Sequence, residues 1–211
     1  MVNVPCNELG PAHAWHLPAG ERVRVRPACP QDADTIQAFF HGLSPASRRN
    51  RFLGALNEVS AAELYNMTHS DHGSHPLVIA EHIDDGFCKM IAETRCAMAA
   101  GRLECEFAVS VAETWRRRRL GTLLIALLAF RAKGLGFRYL VGDVLRANEA
   151  MIALARKAGF RVTDPISDAS LVRITKDLSL WSAAQPRNEL TKSSMRPTPY
   201  WPSCNDARGL T

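Results

Sequence analysis

The stretch Thr114–Leu128, TWRRRRLGTLLIALL, places four consecutive arginines directly before a run of apolar residues. The apolar run, Leu120–Phe130, has 11 residues. Because a membrane-spanning helix needs about 20, we expect a buried helix and no membrane association. A helix start offers unpaired N–H groups and the positive end of the helix dipole, so this one is suited to bind a diphosphate. The competing interpretation is a solvated charged face in front of a core helix, the more common role of a charge run.

Length and composition favour one globular domain, with or without tails. The chain has 211 residues, of which 46% are hydrophobic, enough to bury a sizeable core. The net charge is +5 and the pI is near 9.1, which suits a polyanionic ligand. Basicity this mild is common in solvated surfaces, so we do not expect nucleic acid as the partner.

Six cysteines, at positions 6, 29, 88, 96, 105 and 204, show no C-x-x-C spacing. The N-terminus lacks a basic segment followed by an apolar one, so we expect no signal peptide, a cytoplasmic protein and reduced cysteines. Cys105 could act as an acyl-transfer nucleophile. No histidine partner for it is identifiable, and a small core or surface residue is the preferred interpretation.

The segments around the arginine stretch alternate between strand and helix patterns. Antiparallel hairpin signals come first, and a β-α-β crossover follows in the middle of the chain. This order predicts an α/β fold with a mixed, mostly antiparallel central sheet and helices on both faces. Residues 1–20 are interpreted as an N-terminal arm, 21–180 as the domain, and 181–211, with four prolines, as a flexible C-terminal tail. The predicted strands are Glu21–Arg26, His75–His82, Cys88–Met98, Glu104–Ala112, Tyr139–Leu145, Phe160–Val162 and Ser170–Leu178, and the predicted helices cover Asp32–Leu43, a short segment from Ser60, about Arg118–Lys133, and Asn148–Gly159.

The segment Phe107–Phe160 resembles the GNAT superfamily of acyl-CoA-dependent N-acetyltransferases. Its signature leads from a strand through Q/R-x-x-G-x-G/A into a helix, and Arg116–Gly121 match that loop. The later stretch VGDVLRANEAMIALARKAGF, Val141–Phe160, is similar to the second half of the family's core. Arg26–Gly54 is similar to the branch that acetylates protein lysines in bacteria, and the resemblance covers about Arg22–Leu178. One departure bears on cofactor affinity: Arg119 stands where the signature has its first glycine, and we expect a helical backbone there.

The resemblance implies a splayed β-α-β core that binds acetyl-CoA as co-substrate. N–H groups from the arginine stretch would cradle the diphosphate, and the strand before it would hold the pantetheine arm. Asn148 is either a cofactor contact or a plain helix N-cap. The residues assigned to the cofactor are Val109, Val111, Arg116, Arg117, Arg118, Arg119, Leu120, Gly121, Thr122 and Asn148.

Acetyl transfer to an amine requires a neutral nitrogen, and a lysine has a pKa of about 10.4, so a general base or a water relay helps. Glu106 matches the glutamate that the lysine-acetylating branch uses as base. Strand alternation puts Glu104 on the same face, and Glu93 is a third candidate. Tyr139 lies within a strand and is not proposed as the proton donor.

The resulting prediction is an enzyme that transfers acetyl from acetyl-CoA to an amine, preferably a protein lysine, by direct attack. The alternatives are acetylation of a small amine and a non-catalytic acyl-CoA-binding module. The sequence leaves a homodimer open. It also leaves open whether the three arginines of Ser44–Phe52 select acidic surroundings of a lysine or are solvated. His69, His72 and His75 lie in a predicted loop, and we expect no metal site there.

Overall fold

The computed structural model describes residues 4–5, 13–54, 58–69, 77–84, 87–98, 103–164 and 168–180. The strands are β1 (Val4–Pro5), β2 (His13–His16), β3 (Arg22–Pro27), β4 (Leu77–Asp84), β5 (Phe87–Met98), β6 (Glu104–Val111), β7 (Tyr139–Leu145), β8 (Arg161–Thr163) and β9 (Leu171–Asp177), and the helices are α1 (Ala33–Gly42), α2 (Pro45–Phe52), α3 (Ala61–Thr68), α4 (Leu120–Gly134) and α5 (Glu149–Lys157). The strands form one mixed sheet in the order β2-β3-β4-β5-β6-β7-β9-β8, and β1 pairs with β5. The predicted α/β fold class is confirmed.

Strands β6 and β7 are parallel neighbours, whereas the other paired strands in the described ranges run antiparallel. Their pairing covers only Glu104–Glu106 with Tyr139–Val141. At the next position the carbonyl oxygen of Phe107 lies 3.2 Å from where a Cβ on Gly142 would be. A side chain would be crowded there, so glycine permits the close approach just before the strands separate. The splay between β6 and β7 begins at this point.

Helix α4 connects the two separating strands and is buried on most of its circumference. Leu120, Leu124 and Leu127 pack into a cluster with side chains of β3, β4 and β5. Ile125 and Leu128 pack into a second cluster with side chains of β7, β9 and α5. A helix that is apolar all round is a buried one, so the run after the four arginines serves as the centre of the core.

A third cluster joins α1 and α3 to strands β4 and β5. Ile36, Phe40 and Met67 pack there against Leu77 and Ile79. Leu77 and Ile79 of β4 belong to this cluster, whereas Val78 and Ala80 belong to the cluster of Leu120 and Leu124. Because successive strand residues face opposite sides of the sheet, helices cover the sheet on both faces, as predicted.

Three elements were missed by the sequence interpretation. Helix α2 occupies a segment for which no helix was predicted, and strands β1 and β2 lie within the interpreted arm. Strand β2 pairs with β3, and Trp15 from β2 is buried in the same cluster as Leu124. The sheet therefore begins before residue 21. The interpreted tail, 181–211, lies outside the described residues.

The structure joins Cys96 on β5 to Cys105 on β6 as a disulfide. The prediction of reduced cysteines is wrong for this pair, and Cys105 is fully buried, which removes it from consideration as a nucleophile. In the described part of the chain, no helix has the length and apolar character needed to cross a membrane.

Candidate active site

A cleft of about 530 Å³ opens where β6 and β7 separate. Its walls are the carboxyl half of β6, the part of β7 after Val141, the start of α4, the first turns of α5, and one side of α2. Five elements from distant parts of the sequence thus meet at the splay.

The start of α4 forms the polar end of this cleft. The first N–H bonded within the helix is that of Leu123, which donates to the Arg119 carbonyl at 3.1 Å. The N–H groups of Leu120, Gly121 and Thr122 precede it, so intrahelical acceptors do not satisfy them. A Cβ on Gly121 would lie 3.1 Å from Leu154 Cδ2, so glycine keeps the first turn close to α5. Of these three residues, Gly121 and Thr122 line the cleft, and Leu120 buries its side chain in the core.

The backbone before α4 is left-handed at two arginines. Arg117 has φ 60° and Arg119 has φ 66° and ψ −2°. The expectation of a right-handed helical backbone at Arg119 is therefore wrong. A glycine takes positive φ without steric cost, whereas an L-residue pays about 1–2 kcal/mol. The departure from the family signature thus places a strained residue at the cleft.

The four arginine side chains have different environments. Arg117 and Arg119 line the cleft. Arg116 also lines it, but its Nε donates to the Val111 carbonyl at 3.2 Å and its Nη2 to Ser47 Oγ at 2.7 Å. Arg118 turns away, forms an ion pair with Glu21 and stacks its guanidinium 4.8 Å above the ring centre of Trp115. The side chain of Arg118 is thus engaged away from the cleft.

Glu113, in the turn between β6 and α4, receives several donors on one carboxylate oxygen. Its Oε1 accepts from Ser44 N at 3.1 Å, Ser44 Oγ at 2.8 Å and Ser47 Oγ at 2.5 Å. Partial burial by itself would raise the pKa of Glu113, but these hydrogen bonds, from Ser47 first, lower the pKa to about 2. The carboxylate is therefore charged throughout the neutral range.

Strand β6 places its predicted residues on two sides of the sheet. Val109 and Val111 line the cleft. Glu106 is exposed on the opposite side from buried Cys105 and Phe107, and it does not itself line the cleft. It is the last residue of β6 that pairs with β7, so it stands at the point where the splay begins.

The alternative carboxylates are engaged by arginines. Glu93 is 0% exposed, and its two oxygens accept from Arg51 at 2.6 and 3.3 Å. Glu104 pairs with Arg173 at 3.2 Å. Partial burial would lower the pKa of Arg173, but the hydrogen bond to Asp143 and the charges of Asp143, Glu104 and Glu106 raise it.

Sequence reasoning missed Asp143 and the cleft-facing residues of α2. Asp143 lines the cleft, and both its oxygens accept from Arg173 Nη1, at 3.1 and 3.0 Å. The signal for α2 was present in Ser44-Pro45, an N-cap followed by proline at the first helical position; the Ser44 side chain indeed accepts from Ser47 N at 3.2 Å. No local pattern marked Asp143, because its role depends on where β7 separates from β6. The cleft residues of α2 are Ser47, Asn50 and Arg51.

The structure confirms Asn148 as the N-cap of α5, and its contact with the cofactor stays a prediction. Its Oδ1 accepts from Met151 N at 3.2 Å and so caps α5, and the residue also lines the cleft. His69 stacks on Tyr65 with ring centres 3.9 Å apart, while His72 and His75 lie outside the described residues. Within the described ranges, no group of three or more histidine, cysteine or acidic residues has the arrangement of a metal site.

A family model described as the acetyltransferase (GNAT) family matches residues 47–160. Acetyltransferase PA5475 of Pseudomonas aeruginosa is 31% identical over 144 residues, which cover 68% of this chain and 77% of that protein. The chain belongs to the GNAT family of acetyltransferases. This GNAT enzyme takes acetyl-CoA as its acyl donor, as its family does.

Solved structures agree with the GNAT assignment. The GNAT domain of S. lividans PAT has a TM-score of 0.71 and 25% identity and covers 82% of this chain and 99% of that one. The fold is shared with yncA from Salmonella typhimurium, solved with its cofactor acetyl-CoA, at a TM-score of 0.60 and 18% identity, covering 76% and 96% of the two chains. The fold is also shared with a cAMP-binding acyltransferase from Mycobacterium smegmatis, at a TM-score of 0.55 and 17% identity. The match covers 84% of this chain and 52% of that one.

The cleft of this GNAT enzyme has the chemistry that acetyl-CoA requires. The α4 start offers N–H groups and two cationic residues, Arg117 and Arg119, for the diphosphate. Apolar side chains of Val109, Val111 and Leu154 line the cleft beside it, and they suit the aliphatic part of a pantetheine arm.

Proposed function

We propose that this GNAT enzyme acetylates lysine side chains of bacterial proteins. The observation that carries the proposal is the short β6–β7 pairing, which ends at Glu106, one residue before Phe107, where β6 begins to line the cleft. The 25% identity with the GNAT domain of S. lividans PAT over almost that whole chain supports the same branch.

The proposed donor site consists of the start of α4 and the facing strand. The N–H groups of Leu120, Gly121 and Thr122 bind the diphosphate, and Arg117 and Arg119 add charge-assisted contacts. The splayed edge of β6 at Val109 and Val111 offers backbone groups to the amides of the pantetheine arm, in the manner of strand addition. Asn148 keeps its role as N-cap and contacts the cofactor from the cleft wall. Bound acetyl-CoA supplies a thioester that an amine can attack.

The proposed acceptor side is the entrance between α2 and the open face of β6 and β7. Glu106 accepts the proton of the incoming ammonium group, directly or through water. It is preferred over Glu93, which is buried, and over Asp143, whose two oxygens already accept from Arg173. Arg48 donates to the carbonyls of His41 and Leu43, and Arg51 pairs with Glu93. Two of the three α2 arginines therefore have structural partners, which argues against that segment as a general selector of acidic acceptors.

Glu106→Gln tests the proposal because it keeps the size of the side chain and removes its basicity. We expect turnover on a protein acceptor to fall by about 10²–10⁴, the usual contribution of a general base, with little change in acetyl-CoA affinity. Glu104→Gln is the matched control on the same face and should retain activity. Thiol release from acetyl-CoA, with protein lysines and small amines offered separately, measures both.

Two outcomes would contradict the proposal. If Asp143→Asn loses activity while Glu106→Gln keeps it, the base is Asp143. If turnover occurs with small amines and with none of the proteins, the acceptor class is wrong while the chemistry stands.

A further inference from the structure

Helix α2 and the loop before α4 form two walls of the same cleft and come from distant parts of the sequence. Ser47 and Arg51 face the cleft from α2, and Arg116 faces it from the loop. In the function proposed above, the loop lies on the donor side and α2 on the acceptor side. A physical connection between them would link the two substrates.

Such a connection is present at Glu113. The N–H and hydroxyl of Ser44, the N-cap of α2, and the hydroxyl of Ser47 all donate to Glu113 Oε1. Arg116 completes the unit from the loop side, because its Nη2 donates to Ser47 Oγ at 2.7 Å and lies 3.5 Å from Glu113 Oε1. The Arg116 Nε donates to the carbonyl of Val111, the last residue of β6. Hydrogen bonds to a charged acceptor are stronger than neutral ones.

Polar contacts hold α2 together with one aromatic side chain, Phe52, which packs against Phe40 in the third cluster. The one buried residue of α2 is Ser47, at the centre of the Glu113 contacts. Its other polar attachments are Arg48 to carbonyls at the end of α1 and Arg51 to Glu93 on β5. Of these three polar attachments, the one through Glu113 is the one that reaches the loop before α4. It is therefore a contact through which a change in that loop can reach α2.

We propose that Glu113, acting with Ser47 and Arg116, is a positioning residue that couples occupancy of the diphosphate-binding loop to the placement of α2 beside the acceptor. The inference rests on the proposed donor and acceptor sides. A diphosphate bound at the start of α4 restricts the loop that carries Glu113 and Arg116. With the loop held in place, the Glu113 carboxylate keeps the N-terminus of α2 in one position. Coupling of this kind is reciprocal, so the acceptor also favours donor binding.

Hydrogen exchange measured by mass spectrometry tests the coupling without any acceptor or turnover. In the wild-type protein, saturating coenzyme A should slow exchange both in residues 116–124 and, by about fivefold or more, in α2 at residues 45–52. In Glu113→Ala, coenzyme A should still slow residues 116–124 but lose its effect on α2. Glu113→Gln keeps an acceptor oxygen for the serines and loses the charge, so it should retain part of the effect.

Arg48→Ala is the matched control, because it loosens α2 from α1 and leaves the loop contact intact. Its α2 should exchange faster than in the wild type in the absence of ligand, and coenzyme A should still slow it by the wild-type factor. If Glu113→Ala is insoluble, Ser47→Ala removes the hydroxyl shared by Glu113 and Arg116 and carries the same expectation.

Three results would overturn the coupling. The first is protection of α2 by coenzyme A in Glu113→Ala equal to that in the wild type. The second is wild-type protection of residues 116–124 without protection of α2. The third is loss of the coenzyme A effect in Arg48→Ala as complete as in Glu113→Ala, which would show a general structural role. Absence of protection at residues 116–124 in the wild type would overturn the proposed donor site together with the coupling built on it.

Discussion

Arg119, directly before α4, has a left-handed backbone conformation. The family signature has glycine at this position, and the φ of 66° explains the preference, because only glycine adopts this region without steric cost. This chain keeps the left-handed conformation but has arginine in place of glycine. At this position the left-handed backbone raises the energy of the loop, whereas the positive charge of the side chain favours binding of an anion.

Two substitutions separate these effects. Arg119→Gly and Arg119→Ala both remove the guanidinium, so each should weaken acetyl-CoA binding by about 1–3 kcal/mol, the range for a hydrogen bond to a charged group. Only the glycine relieves the left-handed backbone. We expect it to be more stable to unfolding than the alanine variant by about 0.5–1 kcal/mol, after allowing for the flexibility of glycine in the unfolded chain. Isothermal titration and urea unfolding measure the two quantities. Tighter binding by Arg119→Gly than by the wild type would show that the side chain obstructs the donor.

At the scale of elements, α4 has two roles: most of the helix forms the core, and its start lines the cleft. Its body from Leu120 onward is buried between two core clusters, and its first turn faces the cleft. The same helix therefore stabilises the fold through apolar burial and offers N–H groups to an anion through its geometry. Gly121 lies at the border between these roles, in contact range of Leu154 on α5.

Substitution of Gly121 should separate binding from folding. Acetyl-CoA at 100 times its dissociation constant should add about 2.7 kcal/mol to the wild-type free energy of unfolding and raise the melting temperature. Gly121→Ala should keep this shift, because the flexible end of Leu154 can yield to one methyl group. Gly121→Glu should abolish the shift by placing bulk and negative charge at the N–H groups. A negative charge at a helix start is favourable in the free protein, so a low melting temperature without ligand would instead indicate a packing defect.

At the scale of the whole molecule, Arg51 and Glu93 attach the α2 side of the cleft to the central strand. The pair is buried, with 8% and 0% of the two side chains exposed. The Arg51 guanidinium also lies over the rings of Phe40 and Phe52, at 5.7 and 5.0 Å from their centres. A buried charge pair contributes little net stability over apolar replacements, but loss of one partner leaves an uncompensated charge.

Removal of the buried carboxylate should therefore be costly. Glu93→Gln should lower the free energy of unfolding by about 3–5 kcal/mol, measured by urea unfolding. Glu63→Gln is the control, since its contact with Arg95 is long, at 4.0 Å, and partly exposed, and should cost less than about 1 kcal/mol. The double variant Arg51→Met/Glu93→Met should recover most of the loss. A small effect of Glu93→Gln would mean that water reaches the guanidinium.

The sequence by itself determined the elements with a strong period, the start of α4, and the family to which they belong. Hydrophobic periodicity depends on neighbouring residues, so it identified the strands from Arg22 onward and the buried helix after the arginines. It missed α2, which is too polar to show a period. Only the tertiary structure decided which charged groups meet across the cleft. Glu113 contacts Ser47 across 66 residues of chain, Arg51 meets Glu93 across 42, and Arg173 meets Asp143 across 30. Such pairs depend on the splay of β6 and β7 and on the layers packed beside it, and no local pattern encodes those distances.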